Sequence, residues 1–185
     1  MNIDVKSNPI LNIDNYLVDI YKKKFQFNDN QINILLGIGG SGPTKRIPPN
    51  KFLEFMRLAS NKFNCRFFLA TGTDKEEQKI LNELLNSDFK NNCVPLHKFK
   101  IKEILPIIKN CKISICNDSS FSHLSAALGI PTIVLISDTP LLYGSYSPRM
   151  YPIIPDGEKT VTHDTLGKDK INPDKIFEQF KKLIS

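Results

Sequence analysis

Metal and disulfide chemistry have little to work with in this chain. Its 185 residues include three histidines and four cysteines. Cys65, Cys93, Cys111 and Cys116 form no Cys-x-x-Cys pair and belong to no His/Cys cluster. They read as reduced core thiols, which suits a cytoplasmic setting. No apolar run approaches the roughly 20 residues that span a bilayer. The stretch Met1 to Pro9 has no basic segment leading into an apolar one. A soluble chain without an export signal is therefore expected. No G-x-S-x-G pattern occurs, so Ser119, Ser120 and His123 do not form the nucleophile elbow of a hydrolase. There is no internal repeat and no basic stripe interleaved with aromatics. Nucleic acid is accordingly not an expected partner, although 25 Lys and Arg against 19 Asp and Glu give a formal charge of +6 that favours anionic ligands or anionic membrane surfaces.

What is present is a regular alternation. The length suits one substantial core. Tyr16, Leu17, Ile20, Tyr21 and Phe25 recur at helical spacing, and Lys22, Lys23 and Lys24 suit a helix C-terminus. Short apolar runs at 32–36, 66–70, 94–96, 113–116 and 132–136 read as buried strands, with a sixth at 150–154. Helical patterns lie between them, and a last helix covers 173–184. Asn50 is the expected cap of the second helix. Pro106 should leave the fourth short or kinked. Gly129 and Pro131 should stop the fifth. The expected fold is α/β, a Rossmann-like parallel sheet with helices on both faces. Residues 1–31 form an N-terminal helix and linker in this reading, and residues 32–185 form the domain.

In such a sheet the loops that follow the strands emerge at one edge. The first, Gly37-Ile-Gly-Gly-Ser-Gly42, formally satisfies G-x-G-x-x-G. Pro43, Pro48 and Pro49 delay the helix that a dinucleotide fingerprint requires at once, and proline replaces the P-loop lysine. An NAD-dependent oxidoreductase is disfavoured on that ground. The loop still offers backbone N–H groups at Gly40 and Ser41, a hydroxyl at Thr44 and cations at Lys45 and Arg46, which suits a diphosphate. The fourth strand ends in Asn117, Asp118, Ser119, Ser120, Ser122 and His123. One reading of this cluster is a helix cap. The other is a ligand site in which Asp118 accepts hydrogen bonds from sugar hydroxyls, helix amides face phosphates, and His123 donates to a phosphate or sugar oxygen. No Asp-x-Asp metal pair sits in a suitable loop, so a metal-independent site without a cofactor is expected. The long loop from Ser137 to Pro148 is of a length that is often functional.

Two stretches, Gly39-Gly-Ser-Gly-Pro-Thr-Lys-Arg-Ile-Pro-Pro-Asn-Lys-Phe and Asn117-Asp-Ser-Ser-Phe-Ser-His-Leu-Ser-Ala-Ala-Leu-Gly-Ile-Pro, occur in this order. Together they resemble the C-terminal half of the lipopolysaccharide heptosyltransferases, glycosyltransferase family 9. The resemblance covers roughly residues 32–155. It implies the C-terminal domain of a two-domain GT-B enzyme that binds a nucleotide sugar, typically ADP-heptose, and transfers it with inversion to a lipid-linked saccharide at the inner face of the cytoplasmic membrane. It also implies that Gly40, Ser41, Thr44 and Lys45 hold the diphosphate. Asp118, Ser119, Ser120 and His123 would hold the donor sugar and phosphates. An acidic residue among Asp74, Glu76 and Glu77 would take the ribose, and the backbone near Phe99 the base. The general base belongs to the family's N-terminal domain, for which the residues before the first strand leave no room; a truncated or split product, or a second polypeptide carrying that half, is expected. Ser120 stands where the family usually has glycine. The alternative is a non-catalytic nucleotide- or partner-binding module.

Overall fold

The computed structural model describes residues 8–185. The first seven residues of the expected N-terminal helix and linker lie outside the described residues. Six strands, β1 (Ile32–Gly37), β2 (Cys65–Ala70), β3 (Cys93–Pro95), β4 (Ile113–Asn117), β5 (Thr132–Leu135) and β6 (Met150–Ile153), form one sheet in the order β3-β2-β1-β4-β5-β6. Every neighbouring pair is parallel. The helices are α1 (Asn15–Lys24), α2 (Pro49–Ser60), α3 (Lys75–Leu85), α4 (Ile101–Asn110), α5 (Ser120–Ala127) and α6 (Pro173–Ile184).

Alternation along the strands explains how one sheet serves two cores. Ile34 and Leu36 of β1 point into a layer built with Phe52, Phe55 and Met56 of α2 and Phe180 of α6. Leu35 points the other way, towards Phe68, Ile104, Ile107 and Phe121. Strands covered on both faces must be apolar at nearly every position, which is why these segments read as continuous runs. On the second face Phe27 stacks on Phe68 at 4.8 Å between ring centroids, and Phe25 meets Phe68 edge-on, so the segment after α1 seals the sheet.

Helix ends follow local chemistry, with two departures from expectation. The side chain of Asp14 accepts from Tyr16 N–H, that of Asp74 from Glu76 N–H and that of Asn172 from Asp174 N–H. Asn50 does not cap α2: the helix starts two residues earlier than that cap would place it, with Pro48 at the cap position and Pro49 as first residue, because a first-turn proline gives up no bond and its φ is already helical. Nor does Pro106 shorten α4, which runs ten residues around it. Pro106 is buried, which offsets one missing backbone bond, and Asn110 Nδ2 reinforces the far end by donating to Pro106 O and to Val18 O of α1. α5 stops as expected. Gly129 takes φ +82°, Gly129 N–H donates to Ala126 O and Ile130 N–H to Ser125 O, which together form a Schellman termination.

The end of β1 has no room for a side chain. A Cβ on Gly37 would lie 2.6 Å from Cys116 Sγ and 2.8 Å from its Cβ on the neighbouring strand. Gly37→Ala should therefore lower unfolding free energy in urea by about 1–3 kcal/mol. Gly42→Ala, with nothing within 4 Å of the added carbon, should change it by no more than about 0.5 kcal/mol.

Candidate functional site

The strand order turns back between β1 and β4, and at such a switch point two loops diverge and leave a crevice at the carboxyl ends of the strands. Asn117, the last residue of β4, is fully buried there. Its side-chain amide donates to Ile38 O at 3.0 Å and Gly39 O at 3.2 Å, fixing the turn out of β1. From this point a cleft of about 780 Å³ opens across the ends of β4, β1, β2 and β3, with Ser119, Ser41, Glu77, Thr71, His97 and Phe99 among its walls.

Glu77 forms part of the wall. It lies in the first turn of α3, is 7% exposed, and its Oε1 accepts the Gly40 N–H at 2.7 Å. Its carboxylate fits only because two neighbours are glycine: a Cβ on Gly39 would stand 2.6 Å from Oε1, and one on Gly72 2.3 Å from Oε2. The other side of the Gly40 peptide is held too, since Arg46 Nε donates to Gly40 O at 2.9 Å while its guanidinium pairs with Asp74 at 3.3 Å. These contacts engage groups that the sequence offered to a diphosphate. The Gly40 N–H is committed to Glu77 because a buried carboxylate needs a donor, and Arg46 serves as a brace for the loop. Among the three acidic candidates, Glu77 alone is buried in the cleft wall. Asp74 also lines the cleft but is used for capping and for Arg46, and Glu76 is exposed and does not line the cleft, being paired with Lys79 at 2.7 Å.

Beside the cleft, towards β5, lies a knot of charge. Asp118, 5% exposed, accepts from Lys45 Nζ at 3.0 Å and Thr139 Oγ1 at 2.8 Å through Oδ2, and its Oδ1 lies 3.7 Å from His123 Nε2. His123 Nδ1 is 2.8 Å from the Tyr146 hydroxyl, and the two rings stack at 5.6 Å. Asp118 thus does not cap α5. Ser119 occupies the cap position without a side-chain cap bond, and Ser120 opens the helix exposed at the cleft. Thr44 joins the site through its backbone, whose carbonyl accepts from Ser137 Oγ at 2.8 Å. Thr139 and Tyr146 are the functional candidates that sequence reasoning missed. Only the length of their loop signalled them, because no periodicity links position 146 to position 123.

Other reactive groups are silent. Burial pushes the thiols of Cys65, Cys93 and Cys116 up to about 12, so none is a thiolate near neutrality. Among the described residues no group of three or more His, Cys, Asp or Glu is placed to hold a metal ion, and no helix is long and apolar enough to cross a membrane.

The chain has relatives among known proteins. The family model described as glycosyltransferase family 9 (heptosyltransferase) matches residues 4–168. Lipopolysaccharide heptosyltransferase 1 of Campylobacter coli is 27% identical over 161 residues, covering 86% of this chain and 47% of its own length. In fold, E. coli ADP-heptose LPS heptosyltransferase II superposes with a TM-score of 0.77 at 21% identity, over 95% of this chain and 53% of that one. E. coli heptosyltransferase WaaC, solved with ADP, superposes with a TM-score of 0.70 at 17% identity, over 84% of this chain and 45% of that one. The chain spans about half the length of the curated relatives it matches. Nothing in these comparisons supports a separate polypeptide carrying the other half.

The Lys45–Asp118 pair is a measurable link between the first and fourth loops. Lys45→Met leaves the buried carboxylate short of one charged donor and should destabilise the fold by about 1–3 kcal/mol. Adding Asp118→Asn should recover part of that loss, giving a coupling energy of at least about 0.5 kcal/mol in a urea double-mutant cycle. Additive single effects would show that the two side chains do not support one another.

Proposed function

The chain belongs to glycosyltransferase family 9, and from that premise we propose that it is the donor-binding half of a heptosyltransferase whose substrate is a nucleoside-diphosphate sugar of the ADP-heptose type. The observation that carries the reading is the order of chemistry along the sheet edge. Phe99, Ile101 and Ile104 line an apolar end of the cleft beyond β3. Glu77 follows beyond β2, the glycine loop and the start of α5 beyond β1 and β4, and the Asp118 knot towards β5. Four interstrand spacings separate β3 from β5, about 19 Å, a span suited to base, ribose, diphosphate and sugar laid end to end.

Each part then has a role. The apolar end near Phe99 takes the base, and Glu77, held at Oε1, keeps Oε2 for the ribose diol. Ser41, Thr44, Lys45 and the first amides of α5 face the diphosphate, with Ser119 and Ser120 flanking it. Asp118 and His123 meet the donor sugar. In the transfer an acceptor hydroxyl attacks the anomeric carbon from the face opposite the diphosphate. The bond from that carbon to the diphosphate oxygen breaks, and the hydroxyl proton passes to a base. Lys45 and the α5 amides stabilise the charge that develops on the leaving diphosphate, without requiring a metal. The carboxylates of Asp74, Glu77 and Asp118 each already hold a partner in this chain. As the family resemblance implies, the base is assigned to the other half of a two-domain enzyme. The acceptor is a lipid-linked saccharide of the lipopolysaccharide type, met at the cytoplasmic face of the membrane.

Calorimetric titration tests this. ADP and ADP-heptose should bind the wild-type chain, and Lys45→Ala and Asp118→Ala should each weaken binding by about ten-fold or more, as loss of a charge-assisted hydrogen bond does. A wild-type chain that takes up neither ligand overturns the reading.

A further inference from the structure

Tyr146 is hydrogen-bonded to His123 of the Asp118 knot, and it comes from the loop between β5 and β6, remote in sequence from the glycine loop. Its hydroxyl lies 2.8 Å from His123 Nδ1 and its ring stacks on the imidazole with planes 20° apart. On its other edge the imidazole presents Nε2 to Asp118 Oδ1 at 3.7 Å, and that carboxylate is itself buried and bound to Lys45 and Thr139. A neutral imidazole carries one proton, so the two contacts must agree about where it sits. A carboxylate favours the proton on Nε2, which leaves a lone pair on Nδ1, and a phenol is the matching donor. Burial raises the Tyr146 phenol above its ordinary value, which keeps that donor protonated throughout the neutral range.

We propose that Tyr146 is a positioning residue that donates its hydroxyl hydrogen to His123 Nδ1, holding the imidazole as the Nε2–H tautomer with that N–H on the Asp118 side, where the donor sugar is placed. This rests on the reading of the cleft as a nucleotide-sugar site. The stacked ring fixes the plane of the imidazole while the hydroxyl fixes its proton, so His123 enters binding already oriented. The contact also fastens the loop after β5 to α5, making the far wall of the sugar subsite part of the same hydrogen-bonded unit.

The tautomer can be read directly by long-range proton–nitrogen correlation spectra of the full chain carrying ¹⁵N-histidine, at a pH where the imidazole is neutral. His123→Gln identifies the resonance among those of His97, His123 and His163. Wild-type His123 should show a protonated Nε2 and a bare Nδ1. Tyr146→Phe, which keeps the ring, should give a mixture of tautomers with a thermal midpoint lowered by no more than a few degrees, and should weaken ADP-heptose binding by about three- to ten-fold, the effect of one hydrogen bond. Binding of ADP, which lacks the sugar, should weaken less. A wild-type Nδ1–H tautomer overturns the proposal, as does a tautomer ratio that Tyr146→Phe leaves unaltered. If the tautomer shifts as expected while the wild type binds neither ligand, the donor-site reading fails and the positioning contact stands.

Discussion

Everything in this molecule hangs from the divergence of two parallel strands. β1 and β4 are neighbours in the sheet, with Gly37 opposite Cys116, yet the chain leaves β1 towards β2 and leaves β4 towards β5. Their loops must part, and parting backbones expose polar groups that need partners. Asn117 supplies the first of these by donating to both carbonyls of the turn out of β1. Glu77 supplies the second from α3, across Gly39 and Gly72, by accepting the Gly40 N–H. The cleft is therefore what remains after the switch point has satisfied itself.

Burial sets the electrostatics of what remains. Asp118 is nearly inaccessible, and a carboxylate in that state persists only with donors around it. Lys45 and Thr139 each place a donor on it, from loops that are remote in sequence, and His123 lies at longer range. The same feature that makes the site costly to assemble gives it chemical use. Groups already fixed by their partners need little reorganisation when a charged ligand arrives. Lys45 is partly exposed and, among the described residues, held by the one pair with Asp118, which lets it be shared with a phosphate.

How far the sequence could be read depended on whether the governing interaction was local. Continuous apolar runs marked strands covered on both faces, and Gly129 with Pro131 marked the end of α5, because these depend on one or two elements at a time. The pairing of Lys45 with Asp118 was legible only as two loops sharing an edge, and their direct contact was not. Pro106 misled as to the length of α4 because its local penalty was plain while the burial that offsets it exists only in the packed fold. Asn50 misled for the opposite reason, since a good cap residue was present but the preceding prolines had already started the helix.

The role of Glu77 shows the same division. Glycine-rich and acidic stretches were visible separately at 37–42 and 74–77, but nothing in either announced that the carboxylate of one would close on the backbone of the other. Tyr146 lay in a loop distinguished by length alone. By itself the sequence determined the alternation of strand and helix, the parallel sheet and the edge at which the loops gather, because hydrophobic period and turn chemistry are written in neighbouring residues. The tertiary structure alone decided which of those loop residues meet, which acidic group enters the cleft and which way His123 is held. Such contacts join remote positions, 73 residues apart for Lys45 and Asp118 and 93 for Thr44 and Ser137, and they are set by where the sheet brings the chain back.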